Sequence, residues 1–209
     1  MKIFVIGFNK TATTSLHYLF LRNGKKSQHE KKWNLEKYDC FSDGDTKTIN
    51  VVNLYEKYPS SIFILNTRNL RHWLTSRFKH GSATLHSNIK NLEEKGYFNW
   101  AYPPTVQLTK KWIKEREEFY TNTLNFFIDK PDKLIIVNID KPNWIEFLCD
   151  ALHLKCKTLS PKNVRISSNN IDEINTVINE TFDDLNYDIE QQNSVFINSD
   201  LINLYKNNL

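Results

Sequence analysis

The first sixteen residues constrain the fold of this chain most strongly. Residues 3–6 (IFVI) form a short, continuous apolar run, which is typical of a central parallel strand buried on both faces. The run breaks at Gly7, and apolar residues then recur at Leu16, Leu19 and Phe20 with the spacing of one helix face. The sequence therefore predicts a strand that turns directly into a helix, with unpaired backbone N–H groups and the positive end of the helix dipole at the turn.

The turn, residues 8–15 (FNKTATTS), combines one lysine with four hydroxyl side chains. With the backbone N–H groups, these side chains favour a bound phosphate or sulfate. The turn does not match the Walker A pattern G-x-x-x-x-G-K-[ST], because Ala12 replaces the second glycine and Lys10 comes too early. An alanine at that position would be modestly strained if the backbone needs a positive φ. The alternative interpretation is an ordinary strand-to-helix turn.

A second candidate anion site follows another apolar run, residues 62–65 (IFIL). Arg68 comes directly after this predicted strand, and Ser76 lies eight positions later on a predicted helix. A guanidinium fork with a neutral hydroxyl donor is suited to a phosphate group. In the alternative interpretation, Arg68 forms a surface ion pair and Ser76 lies on a solvated helix face.

These two patterns resemble the cofactor motifs of sulfotransferases. Residues 10–16 (KTATTSL) are similar to the 5′-phosphosulfate loop K-[ST]-G-T-T, and the Arg68–Ser76 spacing is similar to the 3′-phosphate motif R-[ND]-x-x-x-x-x-x-S. Further segments (FSD, LYEKYP, FILNTR and NVR) resemble small bacterial-type sulfotransferases over roughly residues 1–168. The alanine at position 12 departs from the family pattern.

The resemblance implies a sulfuryl donor, 3′-phosphoadenosine 5′-phosphosulfate (PAPS), and no metal. Lys10 is expected to reach the oxygen that bridges phosphate and sulfate. Arg165, or less directly Lys162, is expected to close over the 3′-phosphate. The expected cofactor-binding set is Lys10, Thr11, Ala12, Thr13, Thr14, Ser15, Arg68, Ser76 and Arg165. The acceptor would be a hydroxyl or amine of a small molecule or glycan.

Sulfuryl transfer also needs a base that removes the acceptor proton. Histidine-using sulfotransferases place this base after a short strand between the two cofactor motifs, and Asp43 occupies that location here. Asp45 and His29 are the alternatives. A turn-forming or helix-capping role is the competing interpretation of Asp43, because Asp is common in such loops.

Two other functions remain open from the sequence. A nucleoside or small-molecule kinase would need a Mg²⁺ ligand at a strand end, for which Asp140 is the candidate. A non-catalytic nucleotide-binding protein could keep the fold without turnover.

Alternating apolar strands and amphipathic helices predict a three-layer P-loop-type α/β fold with a central parallel sheet. We expect a sulfotransferase-like domain at residues 1–168 and a C-terminal helical extension at 169–209, packed on the same domain. Residues 23–37 are expected to form a loop, and the helix that begins near Leu70 is expected to end near Gly81. Residues 82–104 are expected to form an irregular lid or acceptor-binding segment.

Composition narrows the class of protein. The chain has 209 residues, 40% of them hydrophobic, and a mild net charge of +4, which does not indicate a nucleic-acid partner. Three cysteines without a C-x-x-C pair argue against a disulfide framework or zinc site and suggest small buried residues in a reducing compartment. No apolar stretch is long enough for a signal peptide or membrane span, so we expect a cytoplasmic protein without membrane partners.

Overall fold

The computed structural model describes residues 1–46, 49–87, 104–155 and 171–196, with backbone alone for residues 80–87. The described strands are β1 (Ile3–Val5), β2 (Ser27–His29), β3 (Cys40–Ser42), β4 (Ile62–Thr67) and β5 (Leu134–Asn138). The described helices are α1 (Thr13–Arg22), α2 (Val51–Lys57), α3 (Leu70–Ser87), α4 (Val106–Phe127), α5 (Trp144–Ala151), α6 (Ile171–Asp184) and α7 (Ile189–Asn193). A short 3₁₀ turn, Pro131–Lys133, precedes β5.

The five strands form one parallel sheet in the order β2-β3-β1-β4-β5. The first strand therefore lies at the centre, where Ile3 is in register with Cys40 on one side and with Ile62 on the other. Because the chain adds strands first on one side of β1 and then on the other, the sheet has a topological switch point beside β1.

Contacts divide the chain into two compact units. One contains the described parts of residues 1–68 and 117–163, and with them the whole sheet. The other contains the described parts of residues 69–116 and 164–197. The domain boundary predicted at residue 168 lies outside the described residues.

The first unit has the predicted three layers. One face of the sheet packs against α1 and α5 through a buried apolar cluster, whose members are Ile3, Val5, Leu16, Leu19, Phe20, Cys40, Ile64, Val137, Leu148 and Cys149. The other face carries an aromatic ladder across three strands, formed by Phe4, Phe41 and Phe63. Phe127, at the end of α4, contacts Phe63, and Tyr55 of α2 contacts Phe127. Strand alternation separates the two sets of side chains, since successive residues point to opposite faces.

The second unit is helical in its described part. The backbone N–H of Leu70, at the start of α3, donates to the Ser194 carbonyl just after α7 (2.9 Å). An ion pair of 3.0 Å between Lys110 and Asp184 joins α4 to α6. Within the helical extension predicted for residues 169–209, Ile171–Asp184 and Ile189–Asn193 are helices, whereas residues 197–209 lie outside the described residues.

Two local predictions were wrong. The segment 23–37 is not all loop, because Ser27–His29 forms the edge strand β2. Helix α3 continues through Gly81 to Ser87, since a single glycine inside a helix costs only about 1 kcal/mol relative to alanine. The remainder of the expected irregular segment, residues 88–103, lies outside the described residues.

The described cysteines fit the expected role of small buried residues. Cys40 and Cys149 are both free thiols within the apolar cluster. Burial raises the pKa of the Cys40 thiol to about 12, which keeps it protonated and unreactive. Cys156 lies outside the described residues. No helix in the described part of the chain is sufficiently long and apolar to span a membrane.

We expect Phe63→Ala to lower the free energy of unfolding by about 3–5 kcal/mol, because it opens a cavity in the centre of the aromatic ladder. Phe63 is fully buried, and its ring centroid lies 5.2 Å from that of Phe4 and 5.0 Å from that of Phe127. Urea denaturation measures the change. The matched control is Phe147→Ala, at a side chain that is 44% exposed, where a loss below about 1 kcal/mol is expected. Similar losses in both variants would contradict this account of the core.

Candidate functional site

The loop between β1 and α1 contains two non-glycine residues in the left-handed conformation. Lys10 and Ala12 both adopt the left-handed conformation, with φ of 67° and 65°. Ala12 is the N-cap of α1, without a side-chain capping hydrogen bond, and no acidic residue lies in the first helical turn. The positive φ anticipated for position 12 is therefore present, and the alanine is strained there. Alternating left-handed residues ahead of a helix can turn successive N–H groups towards one point.

Asn66, near the end of β4, fixes this loop. Its Oδ1 accepts from the backbone N–H of Gly7 (2.9 Å), and its Nδ2 donates to both the carbonyl (2.7 Å) and the hydroxyl (2.6 Å) of Thr11. A Cβ at Gly7 would lie 2.0 Å from the Asn66 carbonyl oxygen, so this close approach requires glycine. The buried amide thus joins both halves of the loop to the neighbouring strand.

The Thr11 hydroxyl belongs to the same internal network. It is fully buried and donates to the carbonyl of Phe8 while accepting from Asn66. Any contribution of Thr11 to an anion site would therefore come from its backbone N–H.

Asp43 and His29 lie beside the hydroxyls at the start of α1. Thr13 donates to Asp43 Oδ1 over 3.4 Å, and the Thr14 hydroxyl lies 3.2 Å from His29 Nε2. His29 Nε2 is 4.0 Å from Asp43 Oδ2. Asp43 follows β3 with a φ of 60°, a conformation that Asp and Asn tolerate better than most residues. Asp43, the expected base, and His29, one of its two alternatives, are therefore neighbours, although the sequence separates them by fourteen positions.

A second histidine packs behind the first. The His17 and His29 rings stack with centroids 5.5 Å apart and an angle of 28°. His17 Nδ1 is 2.8 Å from the Ser27 hydroxyl, and His29 Nδ1 is 2.9 Å from the Ser42 hydroxyl. Burial, and secondly the charge of His29, lowers the pKa of His17.

Arg68, directly after β4, forms an ion pair with Asp140, which follows β5. The distance from Arg68 Nε to Asp140 Oδ1 is 3.2 Å, and both side chains are partly exposed. Asn138 accepts a hydrogen bond from the Asp140 backbone and so helps to hold the turn that carries the carboxylate. The ion pair that the alternative interpretation assigned to Arg68 is thus present. It also engages the carboxylate that a kinase would need for Mg²⁺.

The other predicted site residues fall into three groups. Ser15 lies in the first turn of α1, and Asp45 is partly exposed two residues beyond Asp43. Ser76 lies on α3, in the second unit. Arg165 and Lys162 lie outside the described residues.

The residues of the first unit suit the 5′ end of a phosphosulfate nucleotide. A lysine, two threonines and a left-handed backbone ahead of an uncapped helix start provide a cation, hydroxyls and N–H donors for an anion. At the 3′ end, Arg68 is suitable in charge and fork geometry, but its Nε is already bonded to Asp140. No cluster of three or more His, Cys, Asp and Glu side chains suited to a metal occurs among the described residues.

Sequence reasoning missed the role of Asn66 and the position of His29. An amide within an otherwise apolar strand was the available signal for Asn66, because a buried polar side chain needs partners. His29 had a weaker signal, since β2 is a polar edge strand of only three residues.

No protein-family model matches the chain, and a search of curated proteins finds no significant match. The class of this protein is therefore defined by its fold and by the geometry of the candidate site. They define an α/β protein whose parallel sheet carries a candidate anion site at the carboxyl ends of its central strands.

We expect His17→Gln to reduce the loss of stability on acidification. His17 has a lowered pKa in the folded state, so below the unfolded value of about 6.5 the unfolded chain binds a proton that the folded chain does not. Both states are neutral at higher pH, so the destabilising contribution grows only as pH falls. Urea denaturation between about pH 7.5 and about pH 5.5 should give a shallower slope for the variant.

The control for that experiment is Asn53→Gln, because Asn53 is exposed on α2 and carries no titratable group. Its pH slope should match that of the wild-type chain. If His17→Gln also matched the wild-type slope, the lowered pKa of His17 would be refuted.

Proposed function

We propose that the protein is a PAPS-dependent sulfotransferase that transfers a sulfuryl group to a hydroxyl or amine of a small molecule or glycan. The observation that carries the proposal is the strand order. Because β1 lies between β3 and β4, three features meet at one edge of the sheet: the Lys10 loop, Asp43 after β3 and Arg68 after β4. In open parallel sheets, ligands bind beyond the carboxyl ends of the strands at such a switch point.

In this proposal, residues of the β1–α1 loop bind and neutralise the nucleotide. When bound, the cofactor supplies a sulfuryl group whose transfer leaves a phosphate anion. Lys10 balances the charge of that phosphate, and the backbone N–H groups of Thr13 and Thr14 at the start of α1 donate hydrogen bonds to it. Positioning and charge stabilisation of this kind provide most of the catalysis in related group transfers.

The proton of the acceptor goes to the Asp43–His29 pair. Asp43 is the proposed base, and His29 Nε2 is the second proton acceptor, 4.0 Å away. The Ser42 hydroxyl donates to the Gln28 carbonyl (3.5 Å) and can therefore accept from His29 Nδ1. This arrangement keeps the proton of neutral His29 on Nδ1 and leaves the Nε2 lone pair directed towards Thr14 and Asp43.

A competing kinase function is less compatible with the ion pair at β5. Asp140 is the carboxylate at a strand end that would hold Mg²⁺, but the Arg68 guanidinium lies 3.2 Å from its Oδ1. A cation already bonded to that oxygen competes with a metal. A non-catalytic nucleotide-binding protein is the second alternative. It would also bind the bisphosphate, so an assay of sulfate transfer is needed to distinguish it from a sulfotransferase.

Adenosine 3′,5′-bisphosphate should raise the melting temperature more than ATP with Mg²⁺ does. At about 100-fold above Kd, a ligand that binds only the folded state adds about 2.7 kcal/mol, a rise of roughly 5–10 °C for a chain of this size. Lys10→Met should lose most of this rise. The control is Lys110→Met, since Lys110 pairs with Asp184 in the second unit. A preference for Mg-ATP would overturn the proposal in favour of a kinase.

Asp43→Asn should lower turnover by about 10²- to 10⁴-fold, the usual contribution of a general base, while leaving bisphosphate binding intact. Asn tolerates the left-handed backbone of this position, so the loop should keep its conformation. The assay measures transfer of labelled sulfate from PAPS to a panel of acceptors, with Asp39→Asn, at an exposed carboxylate just before β3, as the control. Normal turnover would remove Asp43 from the mechanism, and a larger loss in His29→Asn would make His29 the principal base.

A further inference from the structure

An arginine of the second unit contacts two tryptophan rings. The Arg77 guanidinium of α3 is 4.2 Å from the centroid of Trp112 on α4 and 5.1 Å from that of Trp73, one helical turn earlier on α3. Trp73 is fully buried. Cation–π contacts of this kind attract the positive charge to the ring faces. Such contacts use the positive charge of the guanidinium and leave its N–H groups able to donate hydrogen bonds.

The guanidinium N–H groups of Arg77 have no acceptor in the described part of the chain. Among the described residues, no oxygen accepts a hydrogen bond from Arg77 or forms an ion pair with it within 4.0 Å. Other arginines of the unit differ. Arg71 donates to Asn179 Oδ1 (2.9 Å) and Gln192 Oε1 (2.6 Å), and Arg116 donates to the Val195 carbonyl (2.7 Å).

The electrostatic environment of Arg77 is also unusual for an arginine. Burial lowers its pKa to about 10, and the attraction of Glu115 offsets only part of that effect. A guanidinium removed from water without an anionic partner is unfavourable, whereas a bidentate oxyanion in its plane relieves the cost. The two indoles would hold the fork in place and exclude water from such a contact.

We propose that Arg77, in contact with the rings of Trp73 and Trp112, is a binding site for an oxyanion group of a ligand, either a carboxylate, a sulfate or a phosphate. The oxyanion lies in the plane of the guanidinium and accepts two of its N–H groups. Arg77 belongs to neither cofactor motif, so the site goes beyond the proposed function and does not require sulfate transfer. The group could belong to an acidic acceptor or to a nucleotide phosphate.

The test follows the indole N–H of Trp112 by NMR in the full-length ¹⁵N-labelled chain, titrated with sodium sulfate at constant ionic strength. We expect a saturable shift with half-saturation on the order of 1 mM. Arg77→Lys keeps the charge but loses the fork, so it should weaken binding about tenfold. Glu115→Gln should tighten binding, because it removes a carboxylate that attracts Arg77 and competes with the oxyanion.

The matched control is Arg71→Lys, on the same helix and also in contact with an aromatic ring, that of Phe182. Its sulfate affinity should stay within about twofold of the wild-type value. A shift of Trp112 that is absent, or that does not saturate up to about 100 mM sulfate, would overturn the site. So would equal affinities in wild type and Arg77→Lys. The wild-type titration decides the question even if a variant fails to fold.

Two further titrations identify the source of the oxyanion. If saturating adenosine 3′,5′-bisphosphate abolishes the sulfate response of Trp112, Arg77 binds a nucleotide phosphate. If sulfate and acetate still produce their shifts beside the bound bisphosphate, Arg77 receives an acidic group of the acceptor. Both results support the site. A chain that does not bind the bisphosphate can still respond to sulfate, so the two proposals fail separately.

Discussion

The buried amide of Asn66 is the interaction on which the candidate site depends. It joins the end of β4 to both halves of the β1–α1 loop through Gly7 and Thr11. The loop contains two non-glycine residues in the left-handed conformation, which is costly for an isolated chain. Such strain persists only when the surroundings determine the backbone, and a fully buried amide with several partners provides that determination.

The strand order of the sheet then determines which residues flank the β1–α1 loop. A central β1 has a neighbour on each side, so the residues after β3 and β4 flank the loop without any sequence proximity to it. Asp43 arrives from one side with His29 beyond it, and Arg68 arrives from the other. This convergence follows from parallel strands that all end at the same edge, which is why chemistry in α/β proteins concentrates there.

The two units stabilise an arginine side chain in different ways. In the first unit, the cation Arg68 is balanced by a carboxylate on the neighbouring strand end. In the second, Arg77 is stabilised by indole faces, with Glu115 contributing a weaker attraction. A face-on aromatic contact does not satisfy hydrogen-bond donors, so the N–H groups of Arg77 can still donate to an oxyanion. In Arg68, by contrast, Nε already donates to Asp140.

The sequence by itself determined the class of fold, because buried parallel strands appear as uninterrupted apolar runs, as in residues 3–6, 62–65 and 134–137. It also determined the strand-to-helix turn at Lys10 and predicted an anion site there, since lysine, hydroxyls and the turn itself are local features. Tertiary structure alone decided the strand order, the edge strand at Ser27–His29 and the meeting of His29 with Asp43. Those depend on pairing between distant segments, and local periodicity carries no information about which distant segment becomes a neighbour.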